Sequence, residues 1–296
     1  MRITKVGFIG LSTDRIDDAG AHYLDVLGMS RLGGGGRDGV HFGCPGSELS
    51  LSLFSGDNKG LASIGYKIAT TKSLSEVAAD LEGKGIAASV RSDYLPGIPE
   101  VVELEDPDGN TLFLYAGSQL QGIVETAPGI RPNKLGHVAL FVEDAPRHAK
   151  FFSEILGFRW SDWLEDFFVF MRCNADHHSM NFMTDERKRG LFHVAFELQD
   201  WAHICRSCDE LGARDIRLIW GPGRHGMGHN IFTYHRDPDG NIVELFCDLD
   251  RMSDETLGYF DPRPYHEDFP QRPKVWPRSS RAANSWGVMA PPEFHE

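Results

Sequence analysis

An internal repeat constrains the fold of this chain more than any other feature of the sequence. Residues 106–115 read Asp-Pro-Asp-Gly-Asn-Thr-Leu-Phe-Leu-Tyr, and residues 237–246 read Asp-Pro-Asp-Gly-Asn-Ile-Val-Glu-Leu-Phe. The two segments start 131 residues apart in a chain of 296 residues. Two copies of one unit therefore fill most of the chain, and each copy is long enough to bury its own core.

Hydrophobic patterns follow the same order in both copies. In the first copy we predict strand Thr4–Leu11, helix Ile16–Leu27, strands Glu48–Phe54 and Ile64–Thr70, helix Leu74–Leu81, and strands Val101–Leu104 and Thr111–Tyr115. In the second copy we predict Leu135–Val142, Ala145–Leu156, Phe167–Arg172, Ser179–Phe182, Leu191–Leu198, Trp201–Leu211, Ile231–His235 and Asn241–Phe246 in the same order. The pattern predicts an α+β fold with two βαβββ modules in each half.

This order predicts two homologous domains followed by a tail. We place the N-terminal domain at residues 1–128, the C-terminal domain at 129–257 and the tail at 258–296, with 117–133 as the linker. The tail is rich in proline and arginine, and it shows no helical or strand period. We expect it to wrap a domain, cap a pocket or lie in a subunit interface; a partly disordered end is the alternative.

Charge and composition exclude several classes of function. The net charge of −13 disfavours binding to nucleic acid or to anionic membranes. No run approaches 18 consecutive apolar residues, and the first residues lack the pattern of a signal peptide. Five cysteines at irregular spacings do not suggest a disulfide framework. We therefore predict a cytoplasmic protein with no nucleic-acid or membrane partner.

Three positions differ between the copies in a coordinated way: Phe8 is matched by His137, Tyr66 by His193, and Phe113 by Glu244. A carboxylate in the middle of an apolar strand is costly unless it is paired. Two histidines and one carboxylate form the facial triad of non-haem Fe(II) sites. The substitutions predict a metal site in the second copy and none in the first.

Other polar residues of the second copy are candidates for a catalytic role beside this metal. His225 lies in the glycine-rich segment Gly-Pro-Gly-Arg-His-Gly, and Tyr234 lies on the strand that leads toward Glu244. His177 and His178 begin a predicted strand. A glycine-rich loop can place a histidine next to a metal and a tyrosine, although a plain turn and a packed ring are the alternative interpretation.

The segments 136–140, 192–196 and 237–245 resemble those of the type I extradiol ring-cleaving dioxygenases, which belong to the vicinal oxygen chelate superfamily. The resemblance covers about residues 3–250. It implies an Fe(II) enzyme, with Mn(II) as the alternative metal, that acts on a catecholic aromatic substrate with O2 and forms a homo-oligomer. It further implies an acid/base role for His178, or alternatively His177, and pocket roles for His225 and Tyr234.

Two other functions stay open at this stage. A glyoxalase or thiol transferase of the same superfamily would use a metal, but such enzymes tend to have more than one carboxylate among four ligands. A metal-free ligand-binding protein of this fold would not require the His-His-Glu set. The sequence leaves open which catechol is the substrate, which metal is bound, and what His229 does.

Overall fold

The fold is described from a computed structural model, which covers residues 1–33, 39–46, 48–119 and 122–295. Residues 120, 121 and 296, which fall within the predicted linker and tail, lie outside the described residues.

The first repeat consists of two βαβββ modules. The first module contains β1 (Arg2–Thr13), α1 (Ile16–Ala21), β2 (Ser30–Leu32), β3 (Val40–Gly43) and β4 (Leu49–Ser55). The second contains β5 (Gly60–Ala69), α2 (Leu74–Glu82), β6 (Ala88–Leu95), β7 (Ile98–Glu105) and β8 (Thr111–Tyr115), and β9 (Ile123–Glu125) follows. The predicted helix Ile16–Leu27 is an α-helix only as far as Ala21, because a π-helical turn, His22–Val26, continues it.

The second repeat has the same two modules. The first contains β10 (Lys134–Val142), α3 (Ala145–Glu154), β11 (Arg159–Leu164), β12 (Phe168–Arg172) and β13 (Met180–Thr184). The second contains β14 (Gly190–Glu197), α4 (Trp201–Ala213), β15 (Leu218–Arg224), β16 (Ile231–Arg236) and β17 (Ile242–Cys247). Side chains of Asp144 and Asp200 accept hydrogen bonds from the first turns of α3 and α4, which fixes where both helices begin.

Each repeat forms one nine-stranded sheet, and the two strand orders match. The first sheet runs β6-β7-β8-β5-β1-β4-β3-β2-β9. The second runs β15-β16-β17-β14-β10-β13-β12-β11 and ends with a strand from the tail, β20 (Lys274–Trp276). In both sheets the first strands of the two modules pair in the middle, β1 with β5 and β10 with β14. The central strands β17, β14 and β10 are therefore direct neighbours.

The repeated Asp-Pro-Asp-Gly-Asn segment forms the turn before the last strand of each repeat. The Asp106 carboxylate accepts hydrogen bonds from the backbone N–H groups of Asp108 and Asn110, both at 2.9 Å. Asp237 makes the same two contacts in the second copy, also at 2.9 Å. Because each aspartate side chain accepts hydrogen bonds from the backbone of its own turn, the same motif forms this turn in both repeats.

The two repeats pack against each other. Tyr66 of β5 lies with its ring centroid 6.1 Å from Phe152 and 5.7 Å from Phe158. The Tyr23 hydroxyl donates a hydrogen bond of 3.0 Å to the Asp237 carboxylate. Apolar side chains from both repeats thus form one buried core.

The tail contains short regular elements that the sequence pattern did not indicate. The chain after β17 contains β18 (Met252–Asp254), β19 (Tyr259–Phe260), β20 (Lys274–Trp276), α5 (Ser280–Ala283) and a 3-10 turn, Pro292–His295. Strand β20 pairs in parallel with the edge strand β11. We call residues 258–295 the C-terminal arm. Within the described part of the chain, no helix is long and apolar enough to span a membrane.

Candidate metal centre

His137, His193 and Glu244 lie on the three neighbouring strands β10, β14 and β17. In the sheet register, Ala195 of the middle strand lies opposite His137 on one side and Glu244 on the other. His193 is two positions from Ala195 and so projects from the same face. Since alanine carries only a methyl group, the imidazole and the carboxylate meet above the middle strand.

The ligand atoms of these three side chains converge on one point. Nε2 of His137 lies 3.0 Å from Oε2 of Glu244 and 3.2 Å from Nε2 of His193. Nε2 of His193 lies 3.2 Å from the same carboxylate oxygen. Three donors at right angles around a metal, each about 2.1 Å from it, would lie about 3 Å apart. The side chains therefore fit one face of an octahedral divalent metal ion.

Glu244 is buried, and its two oxygens have different surroundings. Oε2 faces the two histidines, while Oε1 accepts a hydrogen bond of 2.9 Å from the side-chain amide of Asn230. Burial alone would raise the pKa of Glu244, but His137 and His193 hold that pKa well below its usual range. The carboxylate is thus kept ionised and oriented as a ligand requires.

No such centre is found among the described residues of the first repeat, but one of the predicted correspondences was wrong. Phe8 pairs with Gly65, which in turn pairs with Phe113, so Phe8 and Phe113 occupy the places of His137 and Glu244. In the second repeat His193 pairs with Ala139, which lies two residues after His137. In the first repeat the residue two after Phe8 is Gly10, which pairs with Ser63. Ser63, and not Tyr66, therefore occupies the place of His193.

Aromatic rings fill the corresponding space in the first repeat. A side chain at Gly65 would place its Cβ only 2.0 Å from the Phe8 ring, so that ring lies directly over the middle strand. Phe8 and Phe113 pack with their ring centroids 6.3 Å apart. The first repeat therefore carries an apolar core at the position where the second repeat gathers its polar groups.

His178 lies beside the three ligand side chains. It is buried in the segment before β13, with its ring centroid 4.3 Å from that of His137. Burial, together with His137 and His177, holds the pKa of His178 well below its usual range. A neutral imidazole in this position can accept a proton from a group bound at the metal.

His225 and Tyr234 form a hydrogen-bonded pair in the same place. Nδ1 of His225 lies 2.6 Å from the backbone carbonyl of Ala283, and its Nε2 lies 3.0 Å from the Tyr234 hydroxyl. A carbonyl only accepts, so Nδ1 of His225 donates and its Nε2 accepts from the tyrosine. Burial lowers the pKa of His225 to about 4, which keeps this ring neutral.

These side chains line a cavity of about 450 Å³. Its wall is mostly aromatic and sulfur-containing, with Phe167, Phe168, Phe170, Met183, Phe192, Trp220 and Met227. The C-terminal arm closes one side with Arg278, Ser279, Ser280, Ala283, Met289, Ala290 and Phe294. The structure thus brings all six predicted site residues to one cavity, and the arm caps it.

The second repeat is similar to a known protein family. The model of the family described as Glyoxalase/Bleomycin resistance protein/Dioxygenase superfamily matches residues 134–245. This stretch begins with β10 and ends within β17, so it contains all three ligand positions. The similarity to this superfamily therefore includes the part of the second repeat that carries the proposed ligands.

Curated relatives match over most of the chain. A metapyrocatechase of Pseudomonas sp. (strain CF600) is 26% identical over 264 residues, which cover 83% of this chain and 86% of the relative. An iron-dependent extradiol dioxygenase of Rhodococcus jostii (strain RHA1) is 24% identical over 282 residues, covering 86% of this chain and 93% of the relative. The similarity therefore extends beyond the second repeat.

Solved structures confirm the predicted fold class. The 2,3-dioxygenase LapB from Pseudomonas sp. KL28 matches with a TM-score of 0.80 at 24% identity, covering 94% of this chain and 98% of LapB. A Mn(II)-bound glyoxalase from Novosphingobium aromaticivorans matches with a TM-score of 0.83 at 25% identity, covering 100% of this chain and 94% of the glyoxalase. This glyoxalase is described as Mn(II)-bound, whereas the relative from Rhodococcus jostii is named iron-dependent.

Sequence reasoning missed some residues of the site and set others aside. It missed Asn230, which binds the Glu244 carboxylate, and Asn181, a buried residue of the cavity wall. A lone asparagine has no spacing or pattern that distinguishes it from a turn residue. Three other histidines of the second repeat have partners outside the cavity: His148 lies near Asp106, His203 near the Ile130 carbonyl and His235 near His22.

His229, whose role the sequence left open, binds the C-terminal arm. Its Nδ1 lies 2.7 Å from the Asp250 carboxylate, which also lies 3.0 Å from Nε2 of His266 in the arm. Burial alone would raise the pKa of Asp250, but the hydrogen bonds from both histidines lower it to about 2. This contact ties the arm to the end of β17.

Proposed function

We propose that the protein is an extradiol dioxygenase, which cleaves a catecholic ring next to its two hydroxyl groups with O2. The observation that carries this proposal is the convergence of His137, His193 and Glu244 on one point beside His178, inside a buried aromatic cavity. Relatives named metapyrocatechase and extradiol dioxygenase, which match over more than four fifths of the chain, support the same reaction class.

We propose Fe(II) as the metal, held by these three side chains, with Mn(II) as the alternative. Two histidines and one carboxylate on one face of the ion are the set that non-haem Fe(II) oxygenases use. When bound, the metal supplies open coordination positions for the diol oxygens and for O2, and it supplies the electron exchange that the reaction of O2 with a diol requires.

The residues of the chain would handle protons and position the substrate. His178, neutral and buried, would accept a proton from a substrate hydroxyl and return it to an oxygen atom derived from O2 when the O–O bond breaks. The Tyr234–His225 pair would hold a substrate oxygen by hydrogen bonding. The aromatic wall would exclude water from the reacting ring.

The lining of the cavity favours a catechol whose further substituents are apolar. Phe168, Phe192 and Phe294 present rings to the cavity, and Arg278 at its edge already contacts Glu165 at 3.3 Å. An anionic substituent would find little to pair with there. Whether the substrate has one ring or two stays open.

The test combines metal analysis with turnover. The protein is purified, loaded with Fe(II) without oxygen, and mixed in air with catechol, 3-methylcatechol, 2,3-dihydroxybiphenyl and 3,4-dihydroxyphenylacetate. We expect stoichiometric metal, O2 consumption, a yellow product and, from ¹⁸O2, a product that contains both labelled atoms. The anionic 3,4-dihydroxyphenylacetate should be the poorest substrate. Glu244→Gln is the matched control and should lose both metal and turnover.

Two outcomes would contradict the proposal. Turnover of a glutathione–methylglyoxal adduct with Mn(II), and no reaction of any catechol with O2, would identify a glyoxalase. A folded protein that binds catechols but takes up no divalent metal would identify a ligand-binding protein. A cytoplasmic location and a homo-oligomeric assembly stay predictions, which fractionation and light scattering can test.

A further inference from the structure

A chain of buried hydrogen bonds runs from His178 away from the cavity. Nδ1 of His178 lies 3.0 Å from Nδ1 of His177. Nε2 of His177 lies 3.2 Å from Oδ2 of Asp162 on β11. His177 and Asp162 are fully buried, and His178 is nearly so. The three side chains form a linear relay whose inner end is the acid/base candidate.

The C-terminal arm holds the outer end of this relay. The Trp276 indole N–H donates to Oδ2 of Asp162 at 2.8 Å, and the Lys274 backbone N–H donates to Oδ1 at 3.1 Å. Both residues belong to β20, which pairs with β11 in the register Asp162 to Lys274. The aspartate is therefore positioned by a strand more than 100 residues further along the chain.

The donors and acceptors along the relay determine one arrangement of protons. As a carboxylate, Asp162 only accepts hydrogen bonds, so Nε2 of His177 carries a proton. A neutral His177 then has an unprotonated Nδ1, which accepts from Nδ1 of His178. The remaining nitrogen of His178, Nε2, is left without a proton. It is the ring atom available to the cavity, which His178 lines beside His137.

We propose that Asp162 and His177 are positioning residues that hold His178 in the tautomer with an unprotonated Nε2 toward the cavity, and that β20 completes the relay. The inference rests on the proposed function for the use of that nitrogen as a base. If Asp162 and His177 only contributed to packing, the tautomer of His178 would not depend on them. The tautomer is therefore the quantity to measure.

Nitrogen-15 NMR of histidine-labelled protein reports this tautomer directly. The protein is loaded with diamagnetic Zn(II), and the His178 resonances are assigned by their loss in His178→Gln. We expect a protonated Nδ1 and an unprotonated Nε2 in the wild type. In Asp162→Asn the amide group can donate to His177 and so reverse the chain of donors. We expect protonated Nε2 to appear at His178 in that variant.

A pair of substitutions at His177 separates the relay from packing. Glutamine carries a donor and an acceptor spaced much like the two ring nitrogens, so His177→Gln can still accept from His178 and donate to Asp162. His177→Leu can do neither. In the Fe(II) enzyme we expect kcat to fall by about 10²- to 10⁴-fold in His177→Leu with little change in KM, and His177→Gln to restore most of it.

Asp237→Asn is the control for the loss of a buried aspartate, because the Asp237 carboxylate binds Tyr23 and its own turn residues, Asp239 and Asn241. It should leave the His178 tautomer unchanged. The proposal is overturned if wild-type His178 carries its proton on Nε2, if Asp162→Asn leaves the tautomer as it was, or if Asp237→Asn alters it equally. If the tautomers follow the prediction but no catechol reacts, the relay stands and the proposed function fails.

Discussion

The hydrogen bond between Asn230 and Glu244 leads to a quantitative prediction about metal affinity. The Asn230 amide donates to Oε1 at 2.9 Å, while Oε2 lies 3.0 Å from Nε2 of His137 and 3.2 Å from Nε2 of His193. Asn230→Ala removes this hydrogen bond to a buried carboxylate. A hydrogen bond to a charged group contributes about 1.5–3 kcal/mol, and about 1.4 kcal/mol corresponds to a tenfold change in affinity.

We therefore expect the Kd for a divalent metal to rise about 10- to 100-fold in Asn230→Ala, as for other residues that orient metal ligands. The assay is competition with a chromophoric chelator, using Mn(II) or Zn(II) in air. Asn181→Ala is the matched control, because Asn181 is also a buried asparagine of the cavity but, among the described residues, is not hydrogen-bonded to Glu244. Equal affinities in wild type and Asn230→Ala, or equal losses in both variants, would refute the reasoning.

Three further predictions follow from the same geometry. Ala195→Val crowds the space in which the ligands meet above β14, so we expect loss of metal and about 1–3 kcal/mol of stability, measured by metal analysis and urea unfolding; full metal content would contradict this. Tyr234→Phe removes the hydroxyl that donates to His225, and kcat/KM for a catechol should fall about tenfold to 100-fold while the thermal midpoint changes little; an unchanged kcat/KM would exclude a role for the hydroxyl. The folded-state pKa of Asp250 is about 2, below its ordinary value of 3.8. The ionised Asp250 therefore contributes about 2 kcal/mol to the free energy of unfolding above about pH 4, and this contribution is lost as the pH falls toward 2. Urea unfolding between pH 6 and pH 3 should show about half of this loss in the wild type and none of it in Asp250→Asn.

The repeat predicted the module order well, but not every strand. Strand β8 has the predicted bounds, Thr111–Tyr115, because it is an uninterrupted apolar run after a strong turn motif. Strand β15 was missed, since Gly221, Pro222 and Gly223 interrupt it and normally indicate a loop. Its pairing with β16 tolerates them because the register shifts at these positions.

The assignment of Tyr66 as the counterpart of His193 was wrong for a different reason. Matching by residue type favoured Tyr66, an aromatic residue at a plausible offset. Strand pairing favours Ser63, because Phe8 lies opposite Gly65 and Gly10 lies opposite Ser63 in the β1–β5 pairing. Ser63 and Tyr66 are three positions apart on β5, so their side chains lie on opposite faces of the sheet. Only the strand pairing could therefore show which of the two corresponds to His193.

The sequence alone determined which chemical groups the second repeat gains, two imidazoles and a carboxylate, since the comparison of two copies requires only residue types. Tertiary structure decided what those groups contact. Asn230 meets Glu244, Ala283 meets His225, and Trp276 meets Asp162 only after the sheets have formed and the arm has folded back. Such hydrogen bonds join segments far apart in the chain, and their geometry depends on sheet register and chain path, which no local pattern encodes.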